Sequence, residues 1–294
     1  MLSNQLADAV EQAGRSLIAV NSGRRRFSAS GVHWRPGVIV TADHGIRREE
    51  EVVVTLPDGR ALKATLAGRD SRTDLAVLRL PETALEVANL ADESVRVGQL
   101  VLAIARHADA ALSTSMGVIS SMGGGRWFGN ATDSLIRPDV NLYPGFSGGA
   151  LINATGQVLG INTAGPHRMS FTIPGNTVDR VVDQLLQTGK IARGYLGVGM
   201  QAVRLPGSIR QALNLEQASG VIVVSLEPES PADRSGVMLG DVMIAIANTP
   251  VGDIDDVHQV IGSQTVGQAI TAQLVRGGAL IELVITVGER SETC

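Results

Sequence analysis

The sequence predicts a two-part, mainly β chain: a barrel or sandwich of short strands, then a smaller α+β unit. Three observations carry this. Residues 16–175 are dominated by short apolar runs cut by turn-forming residues, without the helix–strand alternation of a doubly wound sheet. The 294 residues include 34 glycines but only four Phe, two Trp and two Tyr, a composition suited to tight turns and close backbone approaches. The pattern of elements then changes after a helical stretch that ends near residue 189. The glycines lack a Gly-X-Y period, which excludes collagen, and 44 per cent hydrophobic with 18 per cent charged residues excludes a disordered chain.

Taken in order, residues 4–13 form a weakly amphipathic helix with Leu6, Ala9, Val10 and Ala13 on one face. Apolar runs at 38–41, 52–56, 75–80, 100–104 and 158–161 predict strands. Pro57-Asp58-Gly59-Arg60 is a hairpin turn between two such runs, and Asn153-Ala154-Thr155-Gly156 is another. Residues 177–188 predict a firm helix, since Val178, Val181, Val182, Leu185 and Leu186 recur at helical spacing. Asn176 or Thr177 caps its start and Gly189 its end. This linker helix, 177–189, closes a first domain at 1–190; residues 191–290 form a second, and 291–294 a tail. The second domain has predicted strands at 221–226, 242–246, 270–275 and 280–287, the last two joined at Gly277-Gly278, and a helix at 254–263.

The net charge of −4 is uneven: 19 basic residues face 18 acidic ones over 1–190, but 6 face 11 over 191–294. Neither balance suits nucleic acid, and the basic run Arg24-Arg25-Arg26 is too short for a nucleic-acid patch. Cys294 is the sole cysteine, which excludes an intrachain disulfide or a cysteine metal cluster. Nothing suggests a metal-ligand set or a cofactor. No apolar run reaches the roughly 18 residues of a membrane-spanning helix. The first ten residues are polar and periodic rather than signal-like; the expectation is a cytoplasmic chain, or one from which a leader has been removed.

Three stretches carry chemistry. Pro144-Gly145-Phe146-Ser147-Gly148-Gly149 places a serine among glycines, which lets backbone amides approach a substrate carbonyl. The amides of Gly145 and Ser147 are the candidate oxyanion donors. Val40-Thr41-Ala42-Asp43-His44 ends an apolar strand on a histidine suited to general base work. His33, His107, His167 and His258 have no comparable strand-end context. The third stretch runs from Asp70 to Leu78. There Asp74 abuts the strand and is the candidate partner that orients an imidazole, while Asp70 reads as a turn residue. Asp43 is set aside, because adjacent side chains diverge. The chain order is His, Asp, Ser.

These stretches, with Gly117-Val118-Ile119-Ser120 and residues 139–151, 158–163 and 170–174, resemble the trypsin-like protease domain of the HtrA/Deg family. The resemblance implies an all-β, double β-barrel chymotrypsin-like domain and an ATP-independent serine endopeptidase that degrades unfolded or damaged proteins in quality control and stress response. It assigns His44 as general base, Asp74 as its orienting partner and Ser147 as nucleophile. It also implies a cell-envelope or periplasmic setting and a homotrimer built on N-terminal contacts, often aromatic. Only Phe27 and Trp34 are aromatic before His44. The chain departs from the family where Phe146 and Ala150 replace the usual asparagine and proline, and where Asp43 and Gly45 replace asparagine and valine. Phe146 motivates an alternative reading, a peptide-binding or chaperone-like scaffold with a latent protease site.

Trypsin-like enzymes of basic specificity carry a carboxylate six residues before the nucleophile, and this chain has Asn141 there, followed by Leu142. A small or medium apolar P1 residue is expected, with Asn141, Leu142, Ser170 and Phe171 forming the S1 pocket within a wall at 168–172. After the linker, Gly194-Tyr195-Leu196-Gly197-Val198, the stretch 227–232 and Gly240-Asp241 resemble the PDZ domains of these proteases. That resemblance implies that Tyr195, Leu196, Gly197 and Val198 receive a peptide C-terminal carboxylate while the next strand accepts a peptide strand. Val257, His258 and Ile261 would line the groove.

Overall fold

Central strands of the first unit are apolar on both faces, and the fold gives each face its own core. In β3 (Val38–Ala42) and β7 (Leu75–Arg79), Val38, Val40, Leu75 and Val77 join one cluster, while Ile39, Ala76 and Leu78 join another. Side chains alternate with period two along a strand, so a continuous apolar run marks a strand covered on both sides. The structure is a computed structural model that describes residues 2–23, 28–47, 52–81, 85–92, 95–124, 134–165, 169–191, 194–262 and 265–289. The Arg24-Arg25-Arg26 run, Phe27, His167, Arg168 and Cys294 lie outside the described residues.

Two units divide the chain after Ile191. The first begins with helix α1 (Leu2–Gly14), β1 (Leu17–Ser22), β2 (Ala29–Arg35) and β3. It continues through β4 (Val52–Thr55), β5 (Ala61–Lys63), β6 (Thr65–Asp70) and β7. These strands form a seven-stranded sheet in the order β5-β4-β1-β2-β3-β7-β6. Then come β8 (Leu100–Arg106), β9 (Leu112–Gly124), β10 (Ser134–Pro138), β11 (Ala150–Asn153), β12 (Val158–Ala164) and β13 (Ser170–Pro174). They close into a barrel ordered β10-β13-β12-β11-β8-β9. The first sheet's hydrogen-bonded path does not close among the described residues, so the two halves are a curled sheet and a closed barrel. Leu17, Val40 and Leu75 from the sheet, Ile104 and Ile161 from the barrel and Val178, Val181, Val182 and Leu185 from helix α2 (Gly175–Thr188) share the largest core.

Helix α2 starts earlier than its apolar periodicity and without the expected side-chain cap. Pro174 is the N-cap residue, and Asn176 instead accepts a hydrogen bond from its neighbour's amide, Thr177 N, at 2.9 Å. Proline is already extended at φ −62° and ψ 151° and leads directly into helical Gly175. Gly189 closes the helix in the left-handed conformation at φ 73°, as expected. Trp34 is buried under α2 and donates to Asp179 at 2.9 Å, so it is an internal residue rather than a surface aromatic.

The second unit contains β14 (Gly194–Tyr195), β15 (Val198–Arg204), α3 (Gly207–Ala212), β16 (Ser219–Leu226) and α4 (Pro231–Arg234). After these come β17 (Val242–Ile246), β18 (Thr249–Pro250), α5 (Ile254–Val260), β19 (Ala269–Arg276), β20 (Ala279–Thr286) and β21 (Gly288–Glu289). The main sheet runs β15-β16-β17-β19-β20, with β18 on β17 and β14 paired to β21. Its core gathers Leu196, Val221, Val223, Met243, Ile246, Val257, Ile261 and Leu274. Helix α5 is shorter than predicted; a capping box between Asp253 and Asp256 starts it, and Ile261 ends it.

Candidate active site and peptide-terminus loop

Antiparallel pairing brings the first two candidates together. Ala42 at the end of β3 pairs with Leu75 at the start of β7, so the residues just beyond, His44 and Asp74, share one sheet end. His44 lies in a single 3-10 turn, Asp43–Gly45, whose Asp43 amide donates to Asp74 O at 3.0 Å. Asp74 takes a left-handed φ of 55° and turns its carboxylate back onto that turn. One oxygen accepts from the His44 amide at 2.9 Å, and both face Nδ1, at 2.9 and 2.7 Å. A carboxylate only accepts, so Nδ1 carries the hydrogen and, in the neutral ring, Nε2 is left as the basic nitrogen. Thr163 from β12 donates to the remaining carboxylate oxygen.

Asp43, next to the histidine, faces the other way. Its buried carboxylate accepts from Arg69 Nε at 2.5 Å, and the same guanidinium reaches Ile46 O at 3.3 Å, which staples both ends of the His44 turn. Asp70 is buried and holds the turn before Asp74 by accepting from Thr73. His33 is a structural residue, bonded to Glu86 O and to the Gly37 amide.

Ser147 sits on the loop between β10 and β11. Phe146 is buried in the barrel core, with Tyr143 edge-on to its ring at 5.8 Å. Three successive loop carbonyls are tied to the protein. Gly145 O accepts from Ser30 Oγ at 2.8 Å, Phe146 O from Gly149 N at 3.0 Å and Ser147 O from Ser30 N at 2.9 Å. Phe146 N donates to Tyr143 O, and Gly148 N to Asn162 O. The amides of Gly145 and Ser147 have no acceptor among the described residues. Gly148 has φ 80°, and a Cβ there would collide with Ser30 O, so only glycine fits.

His44, Gly145 and Ser147 line one open cleft of about 810 Å³ with Asn141, Leu142, Tyr143 and Ser170. No acidic, lysine or arginine side chain lines it among the described residues. Phe171 does not line it. Phe171 is buried in the main core, because it is adjacent to Ser170 in β13 and points to the opposite face. Ser30, Asn162 and Thr163 were not singled out by sequence; Asn162 and Thr163 lie in a matched stretch, but none of the three has a local motif.

In the second unit, the carbonyls of the 195–198 loop are used internally, Leu196 O by Ala232 N at 2.9 Å and Gly197 O by Glu227 N at 2.8 Å. The Leu196 and Gly197 amides have no acceptor among the described residues. Gly197 has φ 79° and lies against Ser230; Leu196 is buried; the Tyr195 hydroxyl donates to Glu227; Val198 opens β15 opposite Leu226. Val257 and Ile261 are core residues, and His258 is partly buried beside them on α5.

Comparison with known proteins agrees with both units. Residues 29–161 match the trypsin-like peptidase domain family, and residues 194–287 match the PDZ domain family. A probable periplasmic serine endoprotease DegP-like of Halomonas elongata is 33% identical over 283 residues, 92% of this chain and 58% of that protein. A protein of the same description from Pseudomonas savastanoi pv. phaseolicola is 35% identical over 260 residues, 86% of this chain and 53% of that one. The chain thus spans a little over half the length of these curated relatives. The HtrA-type protease AlgW with decapeptide superposes at TM-score 0.82 with 27% identity, covering 98% of this chain and 99% of that one. The serine endoprotease from Yersinia pestis does so at 0.82 with 29% identity and 98% coverage of both. With a trypsin-like domain, a PDZ domain and this end-to-end likeness, the chain belongs to the HtrA/DegP-like serine protease family.

Proposed function

We propose that the chain is a serine endopeptidase, and the observation that carries this is the His44–Asp74 bond in the cleft that Ser147 also lines. Ser147 Oγ attacks the scissile carbonyl as His44 Nε2 takes its proton, with Asp74 holding the imidazole and stabilising the imidazolium. The unpaired Gly145 and Ser147 amides receive the oxyanion, and each such donor contributes roughly 3 kcal/mol to the barrier reduction. His44 then protonates the leaving amine, and water releases the acyl-enzyme. No step consumes ATP. The uncharged cleft wall of Asn141, Leu142 and Ser170 favours a small or medium apolar P1 side chain.

Unfolded or damaged proteins are the proposed substrates, and peptide C-termini the proposed ligands of the Leu196 and Gly197 amides, tethering substrate or regulating the protease. The periplasm is the proposed compartment, since the relatives are named periplasmic. No helix among the described residues is long and apolar enough to cross a membrane. The test is hydrolysis of labelled casein by the wild type and by Ser147→Ala, with fluorophosphonate labelling alongside. Turnover should fall by about 10³-fold or more in the variant, and Ser147 should label rapidly in the resting protein. Equal turnover would refute the assignment, and a resting protein that hydrolyses nothing and does not label would favour the latent scaffold. The homotrimer implied by resemblance requires a trimer mass by light scattering at micromolar protein.

A further inference from the structure

We infer that Ser30 is a positioning residue for the reaction: its hydroxyl and its amide together hold the loop around Ser147 so that the Gly145 and Ser147 amides stay unpaired beside the cleft. This rests on the reading of those amides as oxyanion donors. Ser30 lies on β2, wholly buried, and is 115 residues from Gly145 in sequence. It supplies donors to two of the three tied loop carbonyls, Oγ to Gly145 O at 2.8 Å and N to Ser147 O at 2.9 Å. The hydroxyl is itself oriented. Arg106 N donates to Ser30 Oγ at 2.9 Å, which occupies a lone pair and turns the single proton toward the carbonyls. Gly145 O is the nearer of these; Arg106 O stands at 3.3 Å.

The strand behind Ser30 is rigidly anchored. The Arg106 guanidinium donates to Leu17 O at 2.7 Å and Gly14 O at 2.6 Å, and also to Ala110 O, tying β8 to the end of α1 and the start of β1. Loss of solvent around the guanidinium holds its pKa below the usual arginine value. Gly145, by contrast, is a glycine at φ 99°, with His107 and Ser28 O 3.2 and 3.3 Å from where a Cβ would stand, a conformation that, among the described residues, only the Ser30 hydroxyl ties from the carbonyl side. Without the Ser30 hydroxyl, Gly145 O becomes a partly buried acceptor without its donor, and the glycine permits its peptide to rotate toward another partner or the cleft. Rotation displaces the neighbouring amide. The loss then falls on the transition state, where the oxyanion forms, and spares ground-state binding.

The test uses the full chain and three variants, Ser30→Ala, Ser30→Cys and Ser147→Ala, with a peptidyl-valine p-nitroanilide as substrate and the matching peptidyl boronic acid as tetrahedral probe. Rates are taken per folded molecule, by circular dichroism. Ser30→Ala should lower kcat by about 30- to 100-fold with KM within twofold, and weaken the boronate by a similar factor. Cysteine keeps the side-chain shape but donates weakly, so Ser30→Cys should follow alanine rather than the wild type. If alanine does not fold, cysteine decides alone. A folded Ser30→Cys with wild-type kcat and boronate affinity overturns the inference, as does a loss confined to melting temperature. Retained hydrolysis in Ser147→Ala would overturn the underlying reading instead.

Discussion

The loop around Ser147 and the loop around Gly197 solve the same problem with different supports. Each turns carbonyls into the protein, leaves two amides without internal acceptors and needs a glycine at φ near 80°, Gly148 in one and Gly197 in the other. The first is held by two separate strands, through Ser30 on β2 and Asn162 on β12. The second is held by a single segment, through Glu227 and Ala232 at the end of β16 and the start of α4. The loop proposed to meet a transition state is tied into the sheet and the barrel of its unit. The loop proposed to meet a chain terminus rests on one segment. The difference teaches that unpaired amides are cheap to present, while the precision of their placement depends on what holds the carbonyls behind them.

The largest effect should come from Gly148→Ala. The new Cβ meets a backbone oxygen, Ser30 O, which cannot move without shifting β2, and φ is left-handed as well. Destabilisation on the order of 4 kcal/mol is expected, with loss of peptide hydrolysis, read by thermal unfolding and p-nitroanilide assay. Gly197→Ala should cost less, about 2 to 3 kcal/mol, because its Cβ meets Ser230 Cβ and Oγ on one short segment that can shift as a unit, rather than a strand paired on both sides. Binding of a fluorescent peptide with a free C-terminus should be lost while p-nitroanilide hydrolysis persists. Equal costs in the two loops would break the contrast between two-strand and single-segment support.

Much of this was legible in sequence wherever the signal is local. The strands at 38–41 and 75–80, the α2 periodicity and the Gly277-Gly278 turn all rest on neighbours within a few residues. The candidate residues His44, Asp74 and Ser147 were found by strand-end position and flanking glycines, and the structure places His44 and Asp74 in direct contact. Ser30 was not found, since nothing beside it in sequence shows a partner 115 residues away. Asp43 was correctly set aside as a partner for His44, yet its pairing with Arg69 across 26 residues was invisible for the same reason. Phe171 was different: the alternation of a strand forbids Ser170 and Phe171 from facing one cleft, so period two already excluded it. Pro174 as the start of α2 was obscured because the apolar spacing begins only at Val178.

The smallest effect sharpens the contrast through charge. The supports of the Ser147 loop are neutral, whereas the second unit relies on an ion pair. Asp241, buried after the Met238 turn, accepts from the Arg276 fork on both oxygens at 2.7 Å and from Met238 N at 2.8 Å. Burial opposes the charge most strongly, but the Arg276 hydrogen bonds, the Met238 amide and the attraction of the guanidinium outweigh it, and the carboxyl is held below its ordinary value. A carboxyl depressed in the folded state contributes stability that is complete above the unfolded value, about pH 4, and fades as pH falls through the folded value beneath it. Asp241→Asn should therefore destabilise the second unit by about 2 kcal/mol at pH 7, the Arg276 side chain being about a third exposed. The gap to the wild type should close below about pH 4. Hydrogen exchange of the β16 and β17 amides, in wild type and variant from pH 7 to pH 3, reads this directly, with the amides of the first unit, which the substitution leaves alone, as the reference. A variant gap that stays constant across that range would show that Asp241 acts through packing and not through its ion pair.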